Sequence, residues 1–220
     1  MTADILYPEE WANVMQGSDE WKAARLGKAT ASRTHDIIAK TKSGWGASRT
    51  NYMAKLIVER LTGTPTVDYV NSEMQWGTDK EPEARMEYQL LTGFDVQQVG
   101  FVPHPTIPMF GCSPDGLIGD DGGVEIKCPN TATHIETLLT KIVPSKHIIQ
   151  IQSNMSCTTR KWWDFVSYDP RLPERMRLFI RRVERDEHQI KYLEKCTMEF
   201  LAELTGKLVD LESLYGVTHD

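Results

Sequence analysis

Hydrophobic and charged positions alternate most clearly over residues 124–127, which read Val-Glu-Ile-Lys. Side chains of a strand point alternately to its two faces. The two apolar residues therefore share one face, and Glu125 and Lys127 share the other. A Gly- and Asp-rich turn over residues 119–123 precedes this strand. If the chain forms a hairpin there, Asp115 lies beside Glu125, so the pattern predicts two carboxylates and one ammonium at one place.

Elsewhere the spacing of apolar residues predicts helices and strands along the whole chain. Ser18 fits the N-cap position of the first helix, and Gly63 and Gly93 fit helix ends. The predicted helices cover 21–26, a short segment from about residue 30, 48–61, 78–91, 131–141, 146–157 and 188–214. The predicted strands cover 94–101, 106–109, 159–168 and 177–183, and residues 40–47 read as a loop.

The helix predicted over 78–91 carries a carboxylate that has two interpretations. Thr78 followed by Glu81 is typical of a capping box, with Pro82 in the first turn. The residues Glu81, Ala84, Tyr88 and Leu91 also share one helix face, so Glu81 lies at the end of an apolar stripe. Glu81 is therefore either a helix cap or an additional acid at the site of Asp115 and Glu125.

Composition places the chain among ordinary globular proteins. It has 220 residues, of which 40% are hydrophobic and 25% charged, which suits a single domain over 1–220. Within it we distinguish a helical lobe over about 18–63, a core over about 74–187 and a C-terminal helix over about 188–214. No apolar run is long enough to span a membrane and no signal peptide is apparent, so we expect no membrane partner and a cytoplasmic protein. The four cysteines lack zinc-type spacing and read as reduced core thiols.

The net charge of −6 is unusual for a nucleic-acid enzyme, because phosphate binding depends on Lys and Arg. The positive charge is concentrated in the helical lobe, however. Between residues 22 and 60 there are nine Lys and Arg residues and only two acids, Asp36 and Glu59. This distribution predicts a basic surface on an acidic chain; the alternative is an ordinary solvated helical surface.

The predicted cluster of Asp115, Glu125 and Lys127 suits metal-assisted hydrolysis. Two carboxylates can bind Mg²⁺, which keeps several waters and takes other ligands from a substrate phosphate. The metal polarises the phosphodiester and makes a bound water easier to deprotonate, while Lys127 steadies that water or the developing charge. The alternative is a surface turn with an unremarkable Glu and Lys.

The flanking residues favour the first interpretation. Residues 112–117, Cys-Ser-Pro-Asp-Gly-Leu, and residues 125–129, Glu-Ile-Lys-Cys-Pro, resemble the core of the Asp…Glu-x-Lys nuclease superfamily. The resemblance is strongest to the branch of bacteriophage lambda exonuclease and related viral recombination exonucleases, and it extends over about residues 21–187. It implies an α/β fold with a restriction-endonuclease-like core, in which helices flank a central mixed β-sheet.

The resemblance also implies an activity. Such enzymes use Mg²⁺, for which Mn²⁺ can substitute, to digest one strand of linear double-stranded DNA from a 5′-phosphorylated end. They work 5′→3′, form a homotrimer ring and act beside a single-strand annealing protein in recombination, here in the cytoplasm of a bacterial host if the chain is phage-encoded. The alternatives are another Asp…Glu-x-Lys nuclease, either an endonuclease or a single-strand exonuclease, and a non-catalytic DNA-binding scaffold.

The resemblance assigns roles to individual residues. Asp115 and Glu125 would bind the metal with the carbonyl of Ile126, Lys127 would activate water, and Glu81 would assist. The implied 5′-phosphate contacts are Arg25, Ser32, Ser113 and Gln150, and the implied DNA contacts are Lys42 and Met74, the latter as a wedge between terminal base pairs.

Overall fold

The computed structural model describes residues 14–42, 44–66 and 71–216. Its α-helices are α1 (Asp19–Arg25), α2 (Thr34–Ile37), α3 (Ala47–Thr62), α4 (Ser72–Thr92), α5 (Thr131–Thr140), α6 (Ser145–Thr158) and α7 (Glu187–Tyr215). Its strands are β1 (Ala29–Thr30), β2 (Lys40–Thr41), β3 (Gly44–Trp45), β4 (Val102–Pro103), β5 (Phe110–Cys112), β6 (Gly116–Ile118), β7 (Gly122–Lys127), β8 (Trp162–Tyr168) and β9 (Leu178–Glu184). Short 3-10 helices cover Ala31–Arg33 and Glu174–Met176.

A mixed sheet with the strand order β6-β7-β8-β9 forms the centre of the fold. The pairs β6/β7 and β8/β9 are antiparallel, whereas β7/β8 is parallel and is connected through α5 and α6. A smaller sheet has the order β1-β5-β4, and β2 and β3 form a separate hairpin. The α/β fold predicted from the sequence is therefore confirmed.

Helices pack on both sides of this sheet. On α4, Ala84 and Tyr88 are completely buried and join a cluster with Val124 and Val166 of the central strands. The side chains of Ile151 and Met155 on α6 belong to a second cluster with Trp163 and Phe165. Helix α7 packs its apolar stripe against α3 and the small sheet. The long helices therefore hold β7, the strand that carries Glu125 and Lys127, from both faces.

The hairpin before β7 is tighter than the predicted turn over 119–123. The connection is residues 119–121, and Gly119 has a φ of 48°. Gly122 and Gly123 already belong to β7, where a Cβ on either one would collide with the indole ring of Trp162 or Trp163 on β8. These two glycines therefore serve close strand packing as well as chain reversal.

Helix α4 begins earlier than the sequence predicts, so the predicted capping box is wrong. The side chain of Asn71 caps the helix by accepting a hydrogen bond from the Met74 amide over 2.8 Å. The Thr78 hydroxyl lies inside the helix and donates to the Met74 carbonyl. Pro82 also lies in the helix interior, where it removes one backbone hydrogen bond, rather than in the first turn. Glu81 is consequently a mid-helix residue.

Three further predictions are corrected. Among the described residues, the strand expected at 94–101 is reduced to a single bridge between Gln97 and Leu117. The strand expected at 106–109 is absent and β4 and β5 flank that segment, which contains Pro108 and the positive φ of Met109. The loop expected at 40–47 contains the hairpin of β2 and β3. Leu91, expected on the buried face of α4, is 69% exposed.

The other helix predictions are confirmed within one or two residues, including the Ser18 cap, whose hydroxyl accepts a hydrogen bond from the Trp21 amide. All four cysteines lie within the described residues, are buried and form no disulfide, as expected. Within the described ranges, no helix is both long enough and apolar enough to cross a membrane.

Candidate active site

Asp115 and Glu125 lie side by side across the β6–β7 hairpin. Gly116 pairs with Val124, which places the preceding Asp115 next to the following Glu125. The Asp115 carboxylate accepts a hydrogen bond from the Ile126 amide over 2.7 Å. Antiparallel pairing therefore holds both carboxylates at the open end of the hairpin, as the sequence pattern predicts.

Lys127 completes the cluster from the same strand face. Its ammonium forms an ion pair with Glu125 Oε1 and lies 3.8 Å from Asp115 Oδ2. The Glu125 side chain is completely buried, whereas that of Lys127 is 31% exposed. The three groups predicted to converge do so, and the ammonium lies at the solvent side.

Burial and neighbouring charges shift the pKa values in this cluster. Burial, followed by the charge of Asp115, raises the pKa of Glu125 to about 7. Burial alone would lower the pKa of Lys127, but Glu125 and Asp115 raise it above its usual value. Glu125 is thus a buried carboxylate that needs a nearby cation to stay ionised, and Lys127 stays protonated.

Helix α4 supplies Glu81 to the same cluster. Burial and the charge of Asp115 raise the pKa of Glu81 to about 7, and Lys127 acts in the opposite direction. Glu81 also forms an ion pair with Arg85, one turn further along the helix. Because the charges of Asp115 and Lys127 both act on Glu81, the interpretation of Glu81 as an additional acid near the site gains support over that of a cap.

A buried network fixes α4 against the sheet. The Tyr88 hydroxyl, two turns after Glu81, donates to Asp164 Oδ2 on β8 over 2.7 Å. Arg182 on β9 forms two hydrogen bonds of 2.9 Å with the same carboxylate and stacks on Trp162 with its guanidinium carbon 3.6 Å from the ring centroid. This network connects the helix that carries Glu81 to the strand beside β7.

The structure adds a residue that the sequence does not indicate. Asn154 on α6 is 1% exposed, and its amide donates to Glu125 Oε2 over 3.0 Å. Asn154 is 29 residues from Glu125 in the chain. The only signal in the sequence is its position one helical turn after Gln150, on the same side of α6.

Two of the predicted phosphate ligands contact each other directly. Arg25 Nη1 donates to the Ser113 hydroxyl over 2.7 Å, and the Trp21 indole N–H donates to the same oxygen over 3.0 Å. The Arg25 guanidinium also stacks on Trp21, 4.2 Å from the ring centroid. Ser113 is two residues before Asp115, so this donor group lies close to the acidic cluster in the chain.

Arg25 also lines a cleft of about 810 Å³ formed mainly by α1, the β1 region and α3. Ser32 and Met74 line the same cleft, and Met74 is 52% exposed. The Ser32 hydroxyl lies 3.3 Å from the Thr30 hydroxyl, and the Thr30 backbone amide donates a hydrogen bond to the Tyr52 hydroxyl over 3.0 Å. The cleft thus brings together Arg25, Ser32 and Met74.

The remaining predicted contacts lie outside this group. Gln150 is half-buried on α6, and within the described residues no hydrogen bond joins it to Arg25 or Ser113. Lys42 is exposed in the turn between β2 and β3 and does not line the cleft. Their roles remain predictions.

A divalent metal fits the acidic cluster only as a partly hydrated ion. Among residues 14–42, 44–66 and 71–216, no three His, Cys, Asp or Glu side chains are arranged to hold a metal by themselves. Glu125 Oε1 is buried, and among the described residues its partner is the Lys127 ammonium. Two carboxylates with open coordination positions suit Mg²⁺, which keeps waters and binds substrate oxygens.

The family model for the YqaJ-like viral recombinase domain matches residues 20–161, which include the acidic cluster and the cleft. The chain belongs to this family. The chain is also 51% identical to the alkaline exonuclease LHK-Exo from Laribacter hongkongensis, with a TM-score of 0.86 for its complex with dAMP. That match covers 90% of this chain and 98% of LHK-Exo.

A phage-related exonuclease from Haemophilus somnus 129PT is 15% identical, with a TM-score of 0.63 and coverage of 82% of this chain and 96% of that one. It shows the similarity of fold alone. No curated protein sequence matches the chain. Membership in the YqaJ-like family confirms the predicted kinship with viral recombination exonucleases and the prediction that the chain is a nuclease acting on DNA.

Proposed function

We propose that this YqaJ-like protein is a Mg²⁺-dependent 5′→3′ exonuclease that digests one strand of linear double-stranded DNA from a 5′-phosphorylated end. The observation that carries the proposal is that an acidic cluster and an Arg–Ser pair lie close together along one short stretch of the chain. Asp115 and Glu125 form an acidic cluster with Lys127, and Ser113, two residues earlier, is bonded to Arg25. A terminal phosphate at Arg25 would position the first phosphodiester near the acids.

Each residue has a role that its geometry supports. Asp115 and Glu125, with the Ile126 carbonyl, would hold Mg²⁺, or Mn²⁺ in its place, which supplies charge stabilisation and a more acidic water. Protonated Lys127 orients the attacking water and stabilises charge on the phosphate. Glu81, with a pKa of about 7, is suited to take up a proton at neutral pH.

The phosphate end of the substrate would be held by charge-assisted hydrogen bonds. Arg25 offers a guanidinium fixed by Trp21, and Ser113 and Ser32 offer hydroxyl groups. Gln150 of α6 and Lys42 would add DNA contacts, and Met74 at the cleft would separate the terminal base pair. The relative LHK-Exo binds dAMP, a deoxynucleoside 5′-monophosphate of the kind that this reaction releases.

A ring of three copies would retain the DNA during successive cuts, beside a single-strand annealing protein that receives the 3′ strand. Exposed apolar residues support self-association. Met86, Leu90 and Leu91 are exposed on α4. Leu139 of α5 and Ile142, just after that helix, are exposed as well. Exposed apolar residues in two different parts of the chain would supply the two unlike surfaces that a cyclic contact needs.

The test is digestion of linear duplex with a 5′-phosphate or a 5′-hydroxyl, in Mg²⁺ or EDTA, beside a closed circular duplex. We expect Mg²⁺-dependent loss of the phosphorylated strand and release of mononucleotides, abolished in Asp115→Asn. Asp121→Asn is the matched control, because Asp121 lies in the same hairpin but pairs with Lys161 at the surface. Cutting of the circle would instead favour an endonuclease, and no cleavage at all would favour a DNA-binding scaffold.

A further inference from the structure

The cleft beside Arg25 is larger and more basic than one terminal phosphate requires. Its volume of about 810 Å³ falls in the range of sites that enclose a whole organic ligand. Five cationic side chains line it: Lys22, Arg25, Lys28, Arg33 and Lys55. Glu59 is the only acid among the described lining residues, and its two oxygens already accept hydrogen bonds from Gly27 and Thr66.

Lys28 is fixed at the wall of this cleft. Its ammonium donates to the Ala24 carbonyl at the end of α1 over 2.6 Å and lies 5.7 Å from the ring centroid of Phe101. Lys28 follows Arg25 by three residues, and its backbone amide bonds the Arg25 carbonyl over 3.0 Å. The two cations therefore belong to one rigid turn and line the same cleft.

Arg60 of α3 places a second positive charge behind Lys28. Its Nε donates to the Gly27 carbonyl over 2.8 Å, whereas its Nη2 is buried and has no hydrogen-bond partner in the described part of the chain. Burial, and then the charge of Arg60, lower the pKa of Lys28, which shows that the two cations act on each other. An anion bound at Lys28 would offset this repulsion.

We propose that Lys28, backed by Arg60, binds a second phosphate group that is attached to the 5′-phosphate of a nucleotide. The inference rests on the proposed function, which places the first phosphate at Arg25 and Ser113. The ligand class is a 5′-diphosphate or 5′-triphosphate. It can be carried by a free deoxynucleotide or by the end of a DNA strand, and both present the same pair of linked phosphates to the cleft.

The first experiment measures binding of dAMP, dADP and dATP by calorimetry in EDTA, where no metal is chelated by the longer phosphates. We expect dADP and dATP to bind about tenfold more tightly than dAMP, the gain from one charge-assisted hydrogen bond. Lys28→Met should abolish this difference and leave dAMP binding unchanged, and Lys28→Arg should retain the difference. Lys161→Met, which removes an exposed positive charge outside the cleft, is the control. Equal binding of all three nucleotides to the unmodified protein overturns the inference without any variant, as does a preference that survives in Lys28→Met.

The second experiment compares linear duplexes that carry a 5′-monophosphate or a 5′-triphosphate. If the strand end is the source of the second phosphate, Lys28→Met slows digestion of the triphosphorylated strand and leaves the monophosphorylated strand unaffected. If only free nucleotides show the preference, they are the ligand. Digestion of the monophosphorylated strand tests the proposed function by itself, so its failure is distinguishable from the loss of the nucleotide preference.

Discussion

Replacing Asn154 by leucine removes the amide that donates a hydrogen bond to Glu125 Oε2 but retains the approximate size of the side chain. A hydrogen bond to a charged group contributes about 1.5–3 kcal/mol, and about 1.4 kcal/mol corresponds to a factor of ten. Because that bond favours the ionised form of Glu125, its loss raises a pKa that burial has already raised to about 7. We therefore expect Asn154→Leu to bind Mg²⁺ or Mn²⁺ about 10- to 100-fold more weakly, as for other residues that orient metal ligands.

The assay is calorimetric titration of metal into the DNA-free protein at several pH values. The deficit of Asn154→Leu should shrink as the pH rises, because hydroxide removes the extra proton from Glu125. Gln152→Met is the matched control: Gln152 is equally buried on α6, but its amide group bonds the backbone of Glu184 and Asp186 instead. Loss of the Gln152 amide should lower the stability of the protein without changing its metal affinity. Unchanged affinity in a folded Asn154→Leu would refute the positioning role of Asn154.

Three other changes have defined outcomes. Lys127→Met should retain metal and DNA binding but lose cleavage, since the carboxylates remain while the protonated ammonium is gone; single-turnover kinetics would reveal any retained activity that contradicts this. Arg25→Gln should reduce the preference for a 5′-phosphate over a 5′-hydroxyl by about tenfold or more, the loss of one charge-assisted bond, and an unchanged ratio would move the phosphate site elsewhere. Burial lowers the pKa of His104, and its Nδ1 accepts hydrogen bonds from the amides of Thr106 and Ile107. Below about pH 6.5 the unfolded chain therefore binds more protons at this residue than the folded protein does. Stability from this group is therefore present above that pH and is lost on acidification, and His104→Asn, which retains an acceptor, should show a shallower fall in urea denaturation between pH 7 and 5.

Features that depend on neighbours in the chain could be predicted from the sequence. The strand alternation placed Glu125 and Lys127 on one face, and the hairpin then required Asp115 beside them, because register follows from a short turn. The Ser18 cap and the helix ends at Gly63 and Gly93 are likewise local, since caps and left-handed residues act within one turn. The acidic cluster could therefore be predicted from the sequence alone.

Predictions of helix and strand boundaries were wrong where a local sequence signal was ambiguous. Thr78 and Glu81 have the spacing of a capping box, but Asn71 provides a cap two turns earlier, and the helix continues through Pro82. Similarly, apolar residues between 94 and 109 suggested two strands, but the structure forms only the bridge at Gln97 and the short strand β4 there. At α4, the cap at Asn71 prevailed over the pattern at Thr78 and Glu81, and residue spacing alone does not show which of two such signals is the stronger.

Only the tertiary structure could reveal contacts between distant parts of the chain. Arg25 meets Ser113 across 88 positions, and Asn154 meets Glu125 across 29. Burial is also a tertiary property: it raises the pKa of Glu125 and leaves Arg60 Nη2 without a partner among the described residues. The chain itself determines which groups are available, whereas packing decides which of them share a low-dielectric environment, and that environment governs their charge and their chemistry.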